Sequence, residues 1–128
     1  MKRHLREKGQ SLTEFALLLP LLLLVVCGIF DFGRIFYAYM HLNLAAQESV
    51  RLGGLGKADA AITQFAKDYV HLGDAALLTV TITPTTTLRK SGEYITVKLS
   101  YPLGYMTPLI ATFLPAPTIV VDSSIRIE

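Results

Sequence analysis

The stretch KGQSLTEFALLLPLLLLVVCGIF, residues Lys8–Phe30, places a single carboxylate, Glu14, at the start of an apolar run. The fifteen residues of Ala16–Phe30 carry no charge, which is fewer than the roughly 20 residues that cross a bilayer as a helix. Apolar and aromatic residues resume after Asp31. The sequence therefore predicts a membrane-spanning helix from Phe15 to about Phe36.

The charges around this run predict its orientation. The chain has a net charge of +2, and four of its basic residues lie within the first eight positions (Lys2, Arg3, Arg6 and Lys8). Because basic residues stay on the cytoplasmic side, we expect the N-terminus inside the cell and everything after Tyr39 outside. Asp31 and Arg34 are three residues apart, so they are expected to pair on the helix. So small a basic patch argues against nucleic-acid binding.

Three interpretations of the apolar run compete. A secretory signal peptide would need a small-x-small cleavage site after the run, and none follows. A lipoprotein leader is suggested by Val25–Gly28, which surrounds the only cysteine, Cys27, but Val26 does not fit that motif. A retained anchor that is cut before the run is the only interpretation that gives Glu14 a role.

The residues around Glu14 resemble a known processing site. The sequence GQSLTEF, Gly9–Phe15, is similar to the cleavage site of class III prepilins, and the match continues through LTEFALLLPLLLLVVCGIFDFGRIFYAY. This stretch resembles the TadE-like minor pseudopilins of the Tad (Flp-type) pilus. The C-terminal segments ITVKLSYPL and SSIRIE are also similar to that family.

The resemblance implies that a prepilin peptidase cuts between Gly9 and Gln10, and that Glu14 and Phe15 belong to the processing and assembly motif. Glycine suits an extended backbone in a protease cleft because it has no Cβ. The new α-amino group on Gln10 would be largely protonated near neutral pH and would pair with Glu14 of a neighbouring subunit. Such a pair would favour one axial register, because an unpaired carboxylate among apolar helices is costly. The competing interpretation is that Glu14 merely suits a helix N-terminus.

The implied function is that of a structural subunit in pilus assembly, in a type of pilus that usually serves surface adhesion. The implied partners are the prepilin peptidase, other pilins and pseudopilins, the inner-membrane assembly platform and membrane lipid, without nucleic acid. Two alternatives remain: a major filament subunit, and a membrane-anchored extracytoplasmic binding module that does not assemble. We do not expect an enzyme, since no nucleophile–base or carboxylate-pair motif is present, and we expect no cofactor and no metal.

Periodicity predicts an α+β fold in three parts: a basic leader over 1–9, a transmembrane and extended helix over 10–52, and a small extracytoplasmic domain over 53–128. Gly53–Gly56 is expected to end the long helix. A second helix is predicted over Asp59–Leu72, with Asp59 as its N-cap and Gly73 as its stop. Three segments then alternate with period two and predict antiparallel strands around residues 78–83, 94–101 and 119–127.

The proline-rich segment Pro102–Pro117 is uncharged. Thr107 and Pro108 are typical of an N-cap and a first helical residue, so a short helix is predicted there. Two interpretations stay open for its apolar side chains. The favoured one is a helix that closes the core, and the other is an exposed ridge that contacts the membrane surface or a partner pseudopilin.

Overall fold

The computed structural model describes residues 2–128, with side chains from Glu7 onward. Most side chains of the predicted basic leader therefore lie outside the described residues. The elements are α1 (Lys2–Gly54), α2 (Asp59–Tyr69), β1 (Thr79–Thr83), β2 (Tyr94–Pro102), α3 (Pro108–Phe113) and β3 (Thr118–Arg126), with single 3₁₀ turns before and after β1. The predicted α+β class, with a long apolar helix, a shorter helix and a three-stranded antiparallel sheet, is confirmed.

Helix α1 has two halves with different surroundings. In its N-terminal half the large apolar side chains from Leu12 to Phe30 are exposed, and the helix continues through Pro20. In its C-terminal half five residues are buried in the core: Ala38, Leu42, Ala45, Ala46 and Val50. One continuous helix therefore carries the exposed apolar segment and also contributes side chains to the core of the domain.

The C-terminus of α1 is closed by a glycine motif. The Gly56 N–H donates to the carbonyl of Gly53 at 3.0 Å, and the Lys57 N–H donates to that of Leu52 at 3.1 Å. This is the Schellman arrangement, which needs a left-handed residue at Gly56, where φ is 81°. Gly53 and Gly54 belong to the helix itself, where their lack of a side chain lets the helix approach Ile95 and Ile125 of the sheet.

The sheet has the order β1-β2-β3, with both pairs antiparallel. Val80 lies opposite Leu99, which in turn lies opposite Val121, so the predicted alternation places one apolar row on the same face of all three strands. That face packs against α1 and α2, while the other face carries mainly threonine, serine and charged residues. The core thus lies between the sheet and the distal half of α1.

Helix α2 corrects two predicted boundaries. It ends at Tyr69, with Val70 as C-cap, so Gly73 lies in the following loop. Asp59 is the first helical residue instead of the N-cap, and its backbone N–H donates to Thr86 Oγ1 at 2.9 Å. Its carboxylate binds the Arg89 guanidinium and accepts the Thr86 N–H at 3.0 Å, so both partners come from the β1–β2 loop.

Helix α3 begins at Pro108 with Thr107 at the N-cap position, as predicted. No residue of α3 is buried, and Phe113 is 77 % exposed. The favoured interpretation, a helix that closes the core, is therefore wrong. The core needs no such cover, because α1 and α2 already occupy the apolar face of the sheet.

Candidate processing and assembly site

The predicted cleavage position lies on the surface of α1. Gly9 and Gln10 are helical and exposed, and no atom lies within 4 Å of where a Cβ on Gly9 would be. The Thr13 hydroxyl donates to the Gly9 carbonyl at 2.9 Å. The Gly9–Gln10 peptide bond is thus exposed on the surface, but its backbone is helical. The extended backbone expected for cleavage requires this first part of the helix to open.

Glu14 is exposed and accepts one hydrogen bond within the chain. The Gln10 side-chain amide donates to Glu14 Oε1 at 3.2 Å, because residues four apart share a helix face. The donor is neutral and exposed, so the bond is easily exchanged for a stronger, charged partner. The neighbouring Phe15 ring is also exposed. The predicted motif residues therefore lie together on one accessible segment.

The apolar surface that follows surrounds the helix on all sides. Within the described residues one helix is long and apolar enough to cross a membrane, and only 6 % of its most apolar window is buried. A helix that is apolar all round is stable only inside a membrane or a bundle of other helices. The surface beyond Glu14 thus has to be covered by lipid or by neighbouring helices.

The C-terminal end of this surface is marked by Asp31, which is only 4 % exposed. Its Oδ1 accepts the Met106 N–H at 2.9 Å, and Thr107 lies next to the same carboxylate. Oδ2 meets no partner at hydrogen-bond geometry among the described residues. Arg34 donates to the Gly104 carbonyl at 3.1 Å. We call this set of contacts the junction.

The junction corrects the expected pairing of Asp31 with Arg34. Within the described residues the two side chains form no ion pair at contact distance, although the charge of Arg34 still acts on the carboxylate. Each side chain instead binds the backbone of the Leu103–Pro108 loop. The sequence showed two isolated charges at the end of an apolar run. Their partners, Met106 and Gly104, lie 75 and 70 residues further along the chain and belong to no recognisable motif.

A second unpredicted contact ties α1 to the end of α2. The His71 N–H donates to His41 Nε2 at 3.2 Å, and the His41 ring stacks between Tyr37 and Tyr69. The His71 Nδ1 lies 2.8 Å from the Tyr69 carbonyl at the end of α2. Together with the junction, this contact holds the sheet domain against α1 on the C-terminal side of the apolar surface.

Comparison with protein families supplies an independent finding. The family model of TadE-like proteins matches residues 9–51. The match confirms the resemblance over these residues, which include the Gly9–Phe15 motif, the apolar run, Asp31 and Arg34. The similarity of the two C-terminal segments lies outside the matched residues and stays a prediction. No curated protein and no solved structure matches the chain.

Proposed function

Since residues 9–51 are a TadE-like segment, which implies a Tad pilus-associated protein, we propose that the chain is a minor pseudopilin-like structural subunit. In this proposal a prepilin peptidase cuts between Gly9 and Gln10, and the mature subunit acts in pilus assembly. The observation that carries the proposal is the exposed Glu14 at the start of an apolar helix surface that the described residues leave exposed.

Cleavage would change the chemistry around Glu14. It removes nine residues and leaves a protonated α-amino group on Gln10. The Gln10 side-chain amide holds Glu14 weakly in the uncut chain, so the carboxylate is available to a neighbour's amine. Among apolar helices a charged carboxylate is expensive unless it is paired. A subunit that docks in the wrong axial register leaves Glu14 unpaired, so the correct register has the lower free energy.

The proposed location follows from the same helix. The N-terminus lies in the cytoplasm, α1 crosses the inner membrane once, and the sheet domain is extracytoplasmic. The role is structural and uses no cofactor or catalytic group. The partners are the prepilin peptidase, other pilins and pseudopilins, and the membrane-embedded assembly platform.

The first test is the intact mass and N-terminal residue of the protein recovered from its native membrane. We expect a chain that starts at Gln10, and a chain that starts at Met1 when Gly9 is replaced by lysine. A wild-type chain that still starts at Met1 would contradict peptidase processing, because the proposed partner amine would not exist.

The second test separates assembly from anchoring. Glu14→Ala should abolish recovery with sheared pili while the protein still inserts into the membrane. The matched control is Glu48→Ala, which removes another exposed carboxylate of α1, one that forms an ion pair with Arg51 at 3.7 Å. Assembly that tolerates Glu14→Ala would favour the membrane-anchored binding module. A variant-sensitive subunit that dominates sheared filaments would favour a major filament subunit.

A further inference from the structure

We propose that the Met106–Leu114 segment, which includes α3, is a second membrane-contact site that inserts its apolar side chains among the lipids beside α1. This proposal rests on the membrane anchoring of α1 proposed above. It assigns lipid as the partner of a surface that the fold leaves without cover. We call this segment the lipid ridge.

The lipid ridge is apolar and exposed. Its side chains project outward, with Phe113 77 % exposed and Met106, Leu109 and Leu114 each more than half exposed. The whole stretch from Pro102 to Pro117 has no charged residue. Contiguous apolar surface of this kind marks a contact with protein or membrane.

The second argument is the position of the ridge along α1. The Met106 N–H is bound to Asp31 at 2.9 Å, and Met106, Thr107 and Pro108 face Cys27 and Phe30 of α1 across a narrow apolar cleft. The start of α3 therefore lies at the height of the last turn of the apolar run. The ridge and the run form one continuous apolar surface.

The third argument is membrane thickness. The uncharged helix from Phe15 to Phe30 is about 24 Å long at 1.5 Å per residue, whereas the hydrocarbon core of a bilayer is roughly 30 Å thick. The run is already shorter than the core, so it has to be immersed to its end. A bilayer that covers Cys27 and Phe30 also reaches Met106 and Pro108.

Several polar groups of the lipid ridge are paired within the segment itself. The N–H groups of Ala111 and Leu114 donate to Thr107 and Ile110 carbonyls at 3.2 and 2.9 Å. The Thr112 hydroxyl donates to the Pro108 carbonyl at 3.0 Å. Lipid offers no hydrogen bonds, so a segment that enters it needs such internal pairing.

The test measures the immersion of three positions in the full chain. Cys27 is replaced by alanine, and single cysteines are introduced as Leu22→Cys on α1, Phe113→Cys on the ridge and Leu88→Cys. Leu88 is the matched control, since it is 67 % exposed and lies in the loop that binds Asp59 near the far end of the domain. Each cysteine carries a nitroxide label, and the protein is reconstituted in phosphatidylethanolamine–phosphatidylglycerol vesicles.

The readout is the accessibility of each label to oxygen, which concentrates in lipid, relative to a water-soluble nickel chelate. We expect labels at 22 and 113 to favour oxygen and the label at 88 to favour the chelate. A label at 113 that behaves like the one at 88, while the label at 22 favours oxygen, would overturn the ridge and leave the anchor intact. A label at 22 that favours the chelate would overturn the anchor and the ridge together.

A dilution series distinguishes lipid from a second copy. If two chains cover each other's ridges, labels at 113 broaden each other's spectra, and the broadening persists at high lipid-to-protein ratios. We expect narrow spectra and unchanged oxygen accessibility on dilution. Leu114→Cys provides a second ridge position, so that the outcome does not depend on how one variant folds.

Discussion

The packing of α1 on the sheet can be tested at Gly53, where the helix touches β2. A Cβ on Gly53 would lie 2.4 Å from Ile95 Cδ1, although the next nearest atom, Ile62 Cδ1, is an ordinary 3.4 Å away. Ile95 is fully buried, so its terminal methyl cannot move into open space. Overpacking of this kind costs about 1–3 kcal/mol. Replacing a helical glycine with alanine returns up to about 1 kcal/mol.

The two residues should therefore be strongly coupled. Ile95→Val removes the one atom that clashes and by itself costs about 0.5–1.5 kcal/mol. In that background the methyl of Gly53→Ala fills the vacated space, so we expect the double variant to be within about 1 kcal/mol of the wild type. The single variants together predict a loss about 1–3 kcal/mol greater than the double variant shows.

The assay is urea unfolding of the full chain in detergent micelles, followed by the near-UV circular dichroism of its six tyrosines; the chain has no tryptophan. The matched control is Gly33→Ala, where a Cβ would meet no atom within 4 Å. Its effect should add to that of Ile95→Val within about 0.5 kcal/mol. If Gly53→Ala and Ile95→Val were equally additive, the close approach of α1 to β2 would be refuted.

Three further predictions follow from single contacts. Arg89→Ala should lower the free energy of unfolding by about 3 kcal/mol, because it leaves Asp59 and the Lys57 carbonyl without their buried partner. Urea unfolding measures this loss. A loss smaller than that of an exposed lysine-to-alanine control would contradict the prediction. Burial lowers the pKa of the Arg89 guanidinium, but arginine stays protonated at any ordinary pH, so the loss should not depend on pH between 6 and 9. His41→Phe keeps ring stacking but removes the acceptor of the His71 N–H, so hydrogen exchange at that amide should speed up by about fivefold, as for a net bond of about 1 kcal/mol; unchanged protection would show that the bond contributes nothing. Gly9→Ala should slow leader cleavage, since alanine favours the helix by about 1 kcal/mol at a position that has to open, and pulse labelling would contradict this if the rates were equal.

The sequence predicted those features that depend on local pattern. Alternation placed the strands because one residue of slip would turn Leu99 and Val121 from the core to the solvent. Thr107–Pro108 predicted the start of α3 because proline is preorganised for a first helical turn. The motif around Glu14 is local in the same sense, but its role in processing and assembly stays a prediction.

The features that the sequence did not predict depend on contacts between distant residues. A pattern can show that Asp31 needs a partner, but the partner is the backbone N–H of Met106, and backbone groups leave no trace in composition. The residues around Asp59 predict that it is an N-cap. Its carboxylate instead binds Arg89, thirty residues later in the chain. Whether α3 closes the core depended on whether α1 already covered the sheet, which is a question of space that periodicity does not address.

The junction also bears on how a subunit would leave the membrane during assembly. The domain is not joined to the anchor by a flexible linker, because α1 is continuous from the apolar run to Gly54 and supplies five residues to the core. Asp31 and Arg34 hold the Leu103–Pro108 loop to the same helix at 2.9 and 3.1 Å. Any axial movement of α1 must therefore carry the domain and the lipid ridge with it. In the proposed assembly, lipid tails and apolar helices are similar surroundings for the run itself, so the contacts that would distinguish one axial position from another are polar. They lie at Glu14 before the apolar run and at the junction after it.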